Sequence, residues 1–97
     1  MIIQDFNAKL VKIEQMSDSV RNFHFELNGE IEFKAGQFVN IVHTKEDGKK
    51  LIKPYSIASK PSQKNVIELC IKHVGEGRFT PYLWEQNVGY EANIKGS

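Results

Sequence analysis

A cation, an aromatic ring and two hydroxyls fall within seven residues in Lys53-Pro54-Tyr55-Ser56-Ile57-Ala58-Ser59. Together they have the chemistry to hold a phosphorylated, planar ligand. On a strand, residues 53 and 55 share one face while 54 and 56 share the other, so Lys53 and Tyr55 can meet one extended ligand together. Ser56 must then reach that ligand through its hydroxyl or backbone where the strand bends, and Pro54 favours such an irregularity. The competing account of these four residues is an ordinary strand with an exposed lysine and a half-buried tyrosine.

A second cluster is Gly75-Glu76-Gly77-Arg78-Phe79-Thr80-Pro81. Thr80 is a candidate helix N-cap, and Pro81 suits the first helical position, where a missing N–H costs nothing. Tyr82 to Asn87 would form about two turns of helix, ended near Gly89. Unpaired N–H groups at such a terminus, with the positive end of the helix dipole, make an anion site. Pro81 removes one donor, so the Thr80 amide and hydroxyl and the Tyr82 amide carry more of the work, and Arg78 adds charge. An ordinary capped helix explains the same residues. The spacing Gly75-x-Gly77-x-x-Thr80 imitates a dinucleotide fingerprint, but its third position is threonine and too little chain follows for a crossover helix and a parallel strand.

The elements that must position these residues show a period of two, the mark of half-buried strands. Phe6, Ala8 and Leu10 share one face of the first, which strict alternation would extend to Lys12, with Val11 and Ile13 on the other. Val20 to Leu27 alternates with Phe23, Phe25 and Leu27 inward, and Asn28-Gly29-Glu30 then turns the chain. Phe38 to Val42, Leu51 to Ala58, Val66 to Val74 and Glu91 to Lys95 complete the set, with polar loops at 45–50 and 60–65. Ile67, Leu69 and Ile71 share the inner side of the fifth strand, Cys70 is taken as a small buried hydrophobe, and Tyr82 and Trp84 as packing residues. The expected fold is all-β: one domain over residues 1–97, a six-stranded antiparallel Greek-key barrel with one short α-helix, closed so that no edge is exposed.

The chain has 97 residues, 40% hydrophobic and 26% charged, with a formal net charge of +1. One domain fits that length. The charge balance argues against nucleic-acid binding. Apolar runs are too short for a membrane-spanning helix, and the N-terminus lacks the pattern of a secretory signal. Cys70 is the single cysteine, so no internal disulfide forms and the cytoplasm is the expected compartment. His24, His43 and His73 have no partners at sequential ligand spacing, so no metal site is expected.

In order and spacing, Ala35-Gly36-Gln37-Phe38, Lys53-Pro54-Tyr55-Ser56 and Gly77-Arg78-Phe79-Thr80 resemble the flavin-binding barrel of the ferredoxin–NADP reductase family. The resemblance covers nearly the whole chain. It implies that Lys53 contacts a cofactor phosphate, that Tyr55 stacks on the isoalloxazine ring and that the Ser56 hydroxyl lies near flavin N5, which makes Tyr55 and Ser56 the catalytic pair. Family members commonly have arginine where Lys53 stands; lysine keeps the charge and loses the bidentate fork. Gly77, Arg78, Phe79 and Thr80 would bind the pyrophosphate, which favours FAD over FMN. Ile71, Lys72, His73 and Val74 would approach the phosphates or adenine, often through backbone groups, although His73 can also be a solvent-facing residue at a strand end. Gly36 suits a turn at positive φ and Phe38 suits the core.

Enzymes of that family carry a second, NAD(P)-binding domain, which a chain of this length does not hold. The resemblance therefore implies an FAD-binding module that passes electrons between NAD(P)H and a one-electron carrier protein, with the nucleotide domain or subunit supplied elsewhere. By itself the module would bind FAD and be a poor or inactive reductase. The alternative is a flavin-free β-barrel acting as an interaction or assembly domain.

Overall fold

A computed structural model describes residues 4–45, 47–73 and 83–96. Six strands follow in chain order: β1 (Gln4–Gln15), β2 (Val20–Leu27), β3 (Phe38–Thr44), β4 (Lys50–Ser56), β5 (Val66–Lys72) and β6 (Glu91–Gly96). They form one antiparallel sheet in the order β4-β3-β6-β1-β2-β5, so β6 inserts between the first two hairpins. The sheet curls as a half-barrel around a core that includes Leu10, Phe23, Phe25, Ile41, Ile67, Leu69 and Ile94, all fully buried. Ile31, in the β2–β3 connection, closes the core, held by its N–H donating to the Lys64 carbonyl at 2.9 Å.

The two outermost strands, β4 and β5, meet at one point. An isolated antiparallel bridge joins Ile57 to Leu69, and the Ala58 N–H donates to the Glu68 carbonyl at 2.7 Å. Among the described residues no further ladder joins these strands. The fully closed barrel expected from the sequence is thus open along most of this seam.

Three inward assignments change. Along β1 the register slips between Leu10 and Lys12 opposite β2. Such a bulge inserts one residue and reverses the facing of all that follow. Val11 is therefore exposed, and Ile13 packs against the core with Phe6. In β3 the inner positions belong to Val39 and Ile41, which leaves Phe38 outward and 55% exposed. In β5 the inner positions belong to Ile67, Leu69 and Ile71, so Cys70 faces out and is exposed rather than buried. Gly36 has the positive φ expected of it, 81°. The expected start of the helix, Thr80, Pro81 and Tyr82, lies outside the described residues; Leu83 and Trp84 have helical backbone, Glu85 is a turn, and Gln86 and Asn87 do not continue the two turns expected.

Candidate functional site

The sequence-predicted residues that the structure describes lie along β4 and the end of β5, the two strands that border the open seam. Counting back from the Ile57–Leu69 bridge, antiparallel order sets Tyr55 across from Ile71 and Lys53 across from His73, without ladder hydrogen bonds between them. Opposite β3, Tyr55 pairs with Val39 and Lys53 with Ile41, while Ser56 pairs with Phe38 and Pro54 with Asn40. Lys53 and Tyr55 thus share the inner face at the sheet edge, and Pro54 and Ser56 the outer. Tyr55 is half-buried against the core, whereas Lys53 and Ser56 are exposed.

The bend expected near Ser56 has a visible cause. The Ile57 N–H still donates to Gln37 of the β3 side, at 2.8 Å, but the next N–H, that of Ala58, has crossed to β5. Phe38, Asn40, Pro54, Tyr55 and Ser56 line an open recess of ≈ 430 Å³ beside this bend. Two aromatic rings, a proline and a hydroxyl around an open recess suit the edge of a planar, largely apolar ring carrying polar atoms, as flavin does. Outward-facing Phe38 becomes intelligible as part of this wall.

At the end of β5, Ile71 is 3% exposed and belongs to the core. Lys72 is exposed. His73 is half-buried, its N–H donating to the Ser19 carbonyl at 2.6 Å and its ring edge-on to Trp84 with centroids 5.1 Å apart. Val74, Gly77, Arg78, Phe79 and Thr80 lie outside the described residues.

Sequence reasoning passed over Arg21. Its guanidinium lies over the Trp84 ring, 4.9 Å from the centroid, and its Nη1 donates to the Trp84 carbonyl at 3.1 Å. Phe23 meets the same indole edge-to-face at 5.4 Å. Arg21 thus pins the turn at 83–84 to the start of β2. The signal was present in the alternation: Arg21 has the parity of Phe23, Phe25 and Leu27, a lone cation on an apolar strand face, and so must emerge at an open end of the core. Trp84 is the packing residue expected.

One histidine does gain partners that sequential ligand spacing could not show. Glu14, His24 and Glu68, far apart in sequence, come from three adjacent strands and place their ligand-capable atoms within 4.8 Å of one another. Sequential spacing could not reveal this because the pairing of β1, β2 and β5 creates it.

Comparison with known proteins bears on the seam. Residues 7–97 match the family model described as the oxidoreductase FAD-binding domain. The phenol hydroxylase P5 protein of Acinetobacter pittii is 32% identical over 96 residues, 98% of this chain and 26% of that protein. NADH–cytochrome b5 reductase 1 of Arabidopsis thaliana is 33% identical over 91 residues, 91% of this chain and 32% of that protein. The chain therefore spans only about a quarter to a third of these relatives. Among solved structures, the ferredoxin reductase in carbazole 1,9a-dioxygenase superposes with a TM-score of 0.88 at 26% identity, over 99% of this chain and 30% of that one. A flavohemoglobin from Malassezia yamatoensis, solved with bound FAD and heme, gives 0.73 at 29% identity, over 97% and 24%. With its half-barrel, its open β4–β5 seam and a family match over almost its whole length, the chain belongs to the oxidoreductase FAD-binding domain family.

Proposed function

We propose that this chain is the flavin-holding part of a reductase that takes electrons from NADH or NADPH and delivers them singly to a carrier protein. The observation that supports it best is the placement of Tyr55 and Ser56 in one recess beside the bend where the chain passes from β3 to the β5 side. Tyr55 covers one face of the flavin ring, the Ser56 hydroxyl donates to its edge near N5, and Lys53 neutralises phosphate charge. The backbone of Ile71, Lys72 and His73 forms the opposite bank. Bound FAD supplies the exchange between two-electron hydride chemistry and one-electron transfer, while the protein orients it and sets its surroundings. A nucleotide-binding domain or subunit completes the reductase. A cytoplasmic location goes with this reading, since an exposed free thiol such as Cys70 persists in reducing compartments.

Titration of the chain with FAD and, separately, FMN, followed by flavin fluorescence, tests the proposal. Saturable FAD binding with quenching is expected, weaker for FMN. Tyr55→Ala should remove a stacking contact of about 1–3 kcal/mol, roughly 5–150-fold in affinity. Absence of binding to either flavin, or binding untouched by Tyr55→Ala, would overturn it in favour of a flavin-free interaction module.

A further inference from the structure

On the outer face of the sheet, strands β1, β2 and β5 are neighbours, with Glu14 opposite Asn22, His24 opposite Glu68 and Asn22 opposite Cys70. The Glu14 Oε1 lies 2.5 Å from His24 Nε2, and Glu68 Oε1 lies 3.7 Å from the same nitrogen. These side chains are 38%, 15% and 28% exposed in the order Glu14, His24, Glu68, so the cluster is partly shielded from water. Asn22 stands in the middle, its Nδ2 2.8 Å from Glu68 Oε1, 3.4 Å from Glu14 Oε1 and 3.3 Å from His24 Nε2.

Asn22 supplies an independent observation. The residue is only 9% exposed, and its Oδ1 is buried with no hydrogen-bond partner. An orphaned buried amide oxygen costs about 1–3 kcal/mol. Rotating the amide by half a turn exchanges O and N at almost no steric cost. That rotation would aim Oδ1 at two carboxylate oxygens and an imidazole nitrogen. In the orientation that faces Nδ2 to the carboxylates the oxygen is orphaned, and the rotated one sets the oxygen against them. A cation at the centre favours the rotated orientation, in which Oδ1 joins the carboxylate and imidazole atoms as a ligand and Nδ2 takes the position Oδ1 now holds.

We propose that Glu14, His24 and Glu68, completed by the Asn22 amide oxygen, bind one divalent transition-metal ion of the zinc class, joining β1, β2 and β5 on the outer face of the sheet. Zinc takes nitrogen and oxygen ligands at about 2.0–2.2 Å, which sets neighbouring ligand atoms of a tetrahedron about 3.3–3.5 Å apart. The Glu14–His24 separation must open by somewhat less than about 1 Å and the His24–Glu68 separation close by a few tenths of that, movements within the reach of side-chain rotation. Two carboxylates balance the charge of the ion, and neutral imidazole is the nitrogen donor it favours. Lys12, opposite His24, is exposed and can turn away into solvent.

The test is calorimetric titration of the chelator-stripped chain with zinc, repeated with cobalt(II) followed by visible absorption. One equivalent should bind saturably, with a cobalt spectrum of low coordination number. Glu14→Gln and Glu68→Gln, which keep side-chain shape, should each weaken binding by about tenfold or more, since even outer-shell partners of metal sites carry 10–100-fold. His43→Gln should leave it intact. No stoichiometric binding, or binding indifferent to both carboxamides and lost in His43→Gln, overturns the site. Should either variant misfold by circular dichroism, the parent chain decides alone. A Tm raised by zinc in proportion to occupancy supports the site, and an unmoved Tm overturns it.

Discussion

Replacing Arg21 by methionine keeps a long apolar stem but removes both Arg21 contacts to Trp84, leaving the edge of Phe23 as its remaining tie to β2. A hydrogen bond from a charged donor contributes about 1.5–3 kcal/mol, and a cation over an indole at a partly exposed site about 0.5–1. Both depend on one side-chain position, so they overlap, and their joint loss should cost about 2–3 kcal/mol. That lowers the docking equilibrium of the 83–84 turn by about 30–150-fold. The core residues Phe23 and Leu83 remain, so the barrel itself should stay folded. Trp84 is the only tryptophan, which makes its fluorescence a direct local reading: Arg21→Met should red-shift the emission and increase quenching by acrylamide, with the far-ultraviolet circular dichroism unchanged. Arg21→Lys keeps the cation without the fork and should fall between. FAD affinity should drop alongside, because the loosened turn follows residues 77–80, the expected pyrophosphate binders. If emission and quenching in Arg21→Met match the parent protein, Arg21 does not hold this turn and the reasoning fails.

Further outcomes follow from burial and charge. Leu69 is fully buried at the seam bridge, so Leu69→Ala should destabilise by about 2–5 kcal/mol, lowering Tm by roughly 10–30 °C. The adjacent outward-facing Cys70→Ala, assayed without added metal, should stay within about 0.5 kcal/mol of the parent; equal losses in thermal melts would mean β5 faces the other way. His43, hydrogen-bonded through Nδ1 to the Tyr90 hydroxyl at 3.1 Å, has its pKa held below the ordinary 6.5 by burial and, less, by the charge of Lys45. The unfolded chain then takes up this proton first as pH falls, so His43 contributes stability in full above 6.5 that is lost as pH falls through its lower folded value. Tm measured against pH should therefore decline less steeply on acidification in His43→Gln, and parallel profiles would refute the assignment.

Alternating hydrophobicity is a local property, and so the strands were legible from the chain alone: Phe23, Phe25 and Leu27 face inward, as do Ile67, Leu69 and Ile71. The Lys53-Pro54-Tyr55-Ser56 stretch, the turn at Gly36 and the family itself were legible for the same reason, since each is carried by neighbours in sequence. Side-chain parity even contained Arg21, had its place on the apolar face been taken as a statement about the barrel mouth. What tertiary structure alone decided depends on which strand lies beside which. The bulge that turns Ile13 inward exists only against β2, and the seam that frames Tyr55 exists only because β4 and β5 are the sheet's two ends, touching at Ile57 and Leu69. Phe38 faces out because Val39 and Ile41 occupy the inner positions, not because of its own hydrophobicity. Glu14, His24 and Glu68 become neighbours only through the β1-β2-β5 order. Pairing across a sheet is a non-local choice made by the whole core, and no local pattern encodes it.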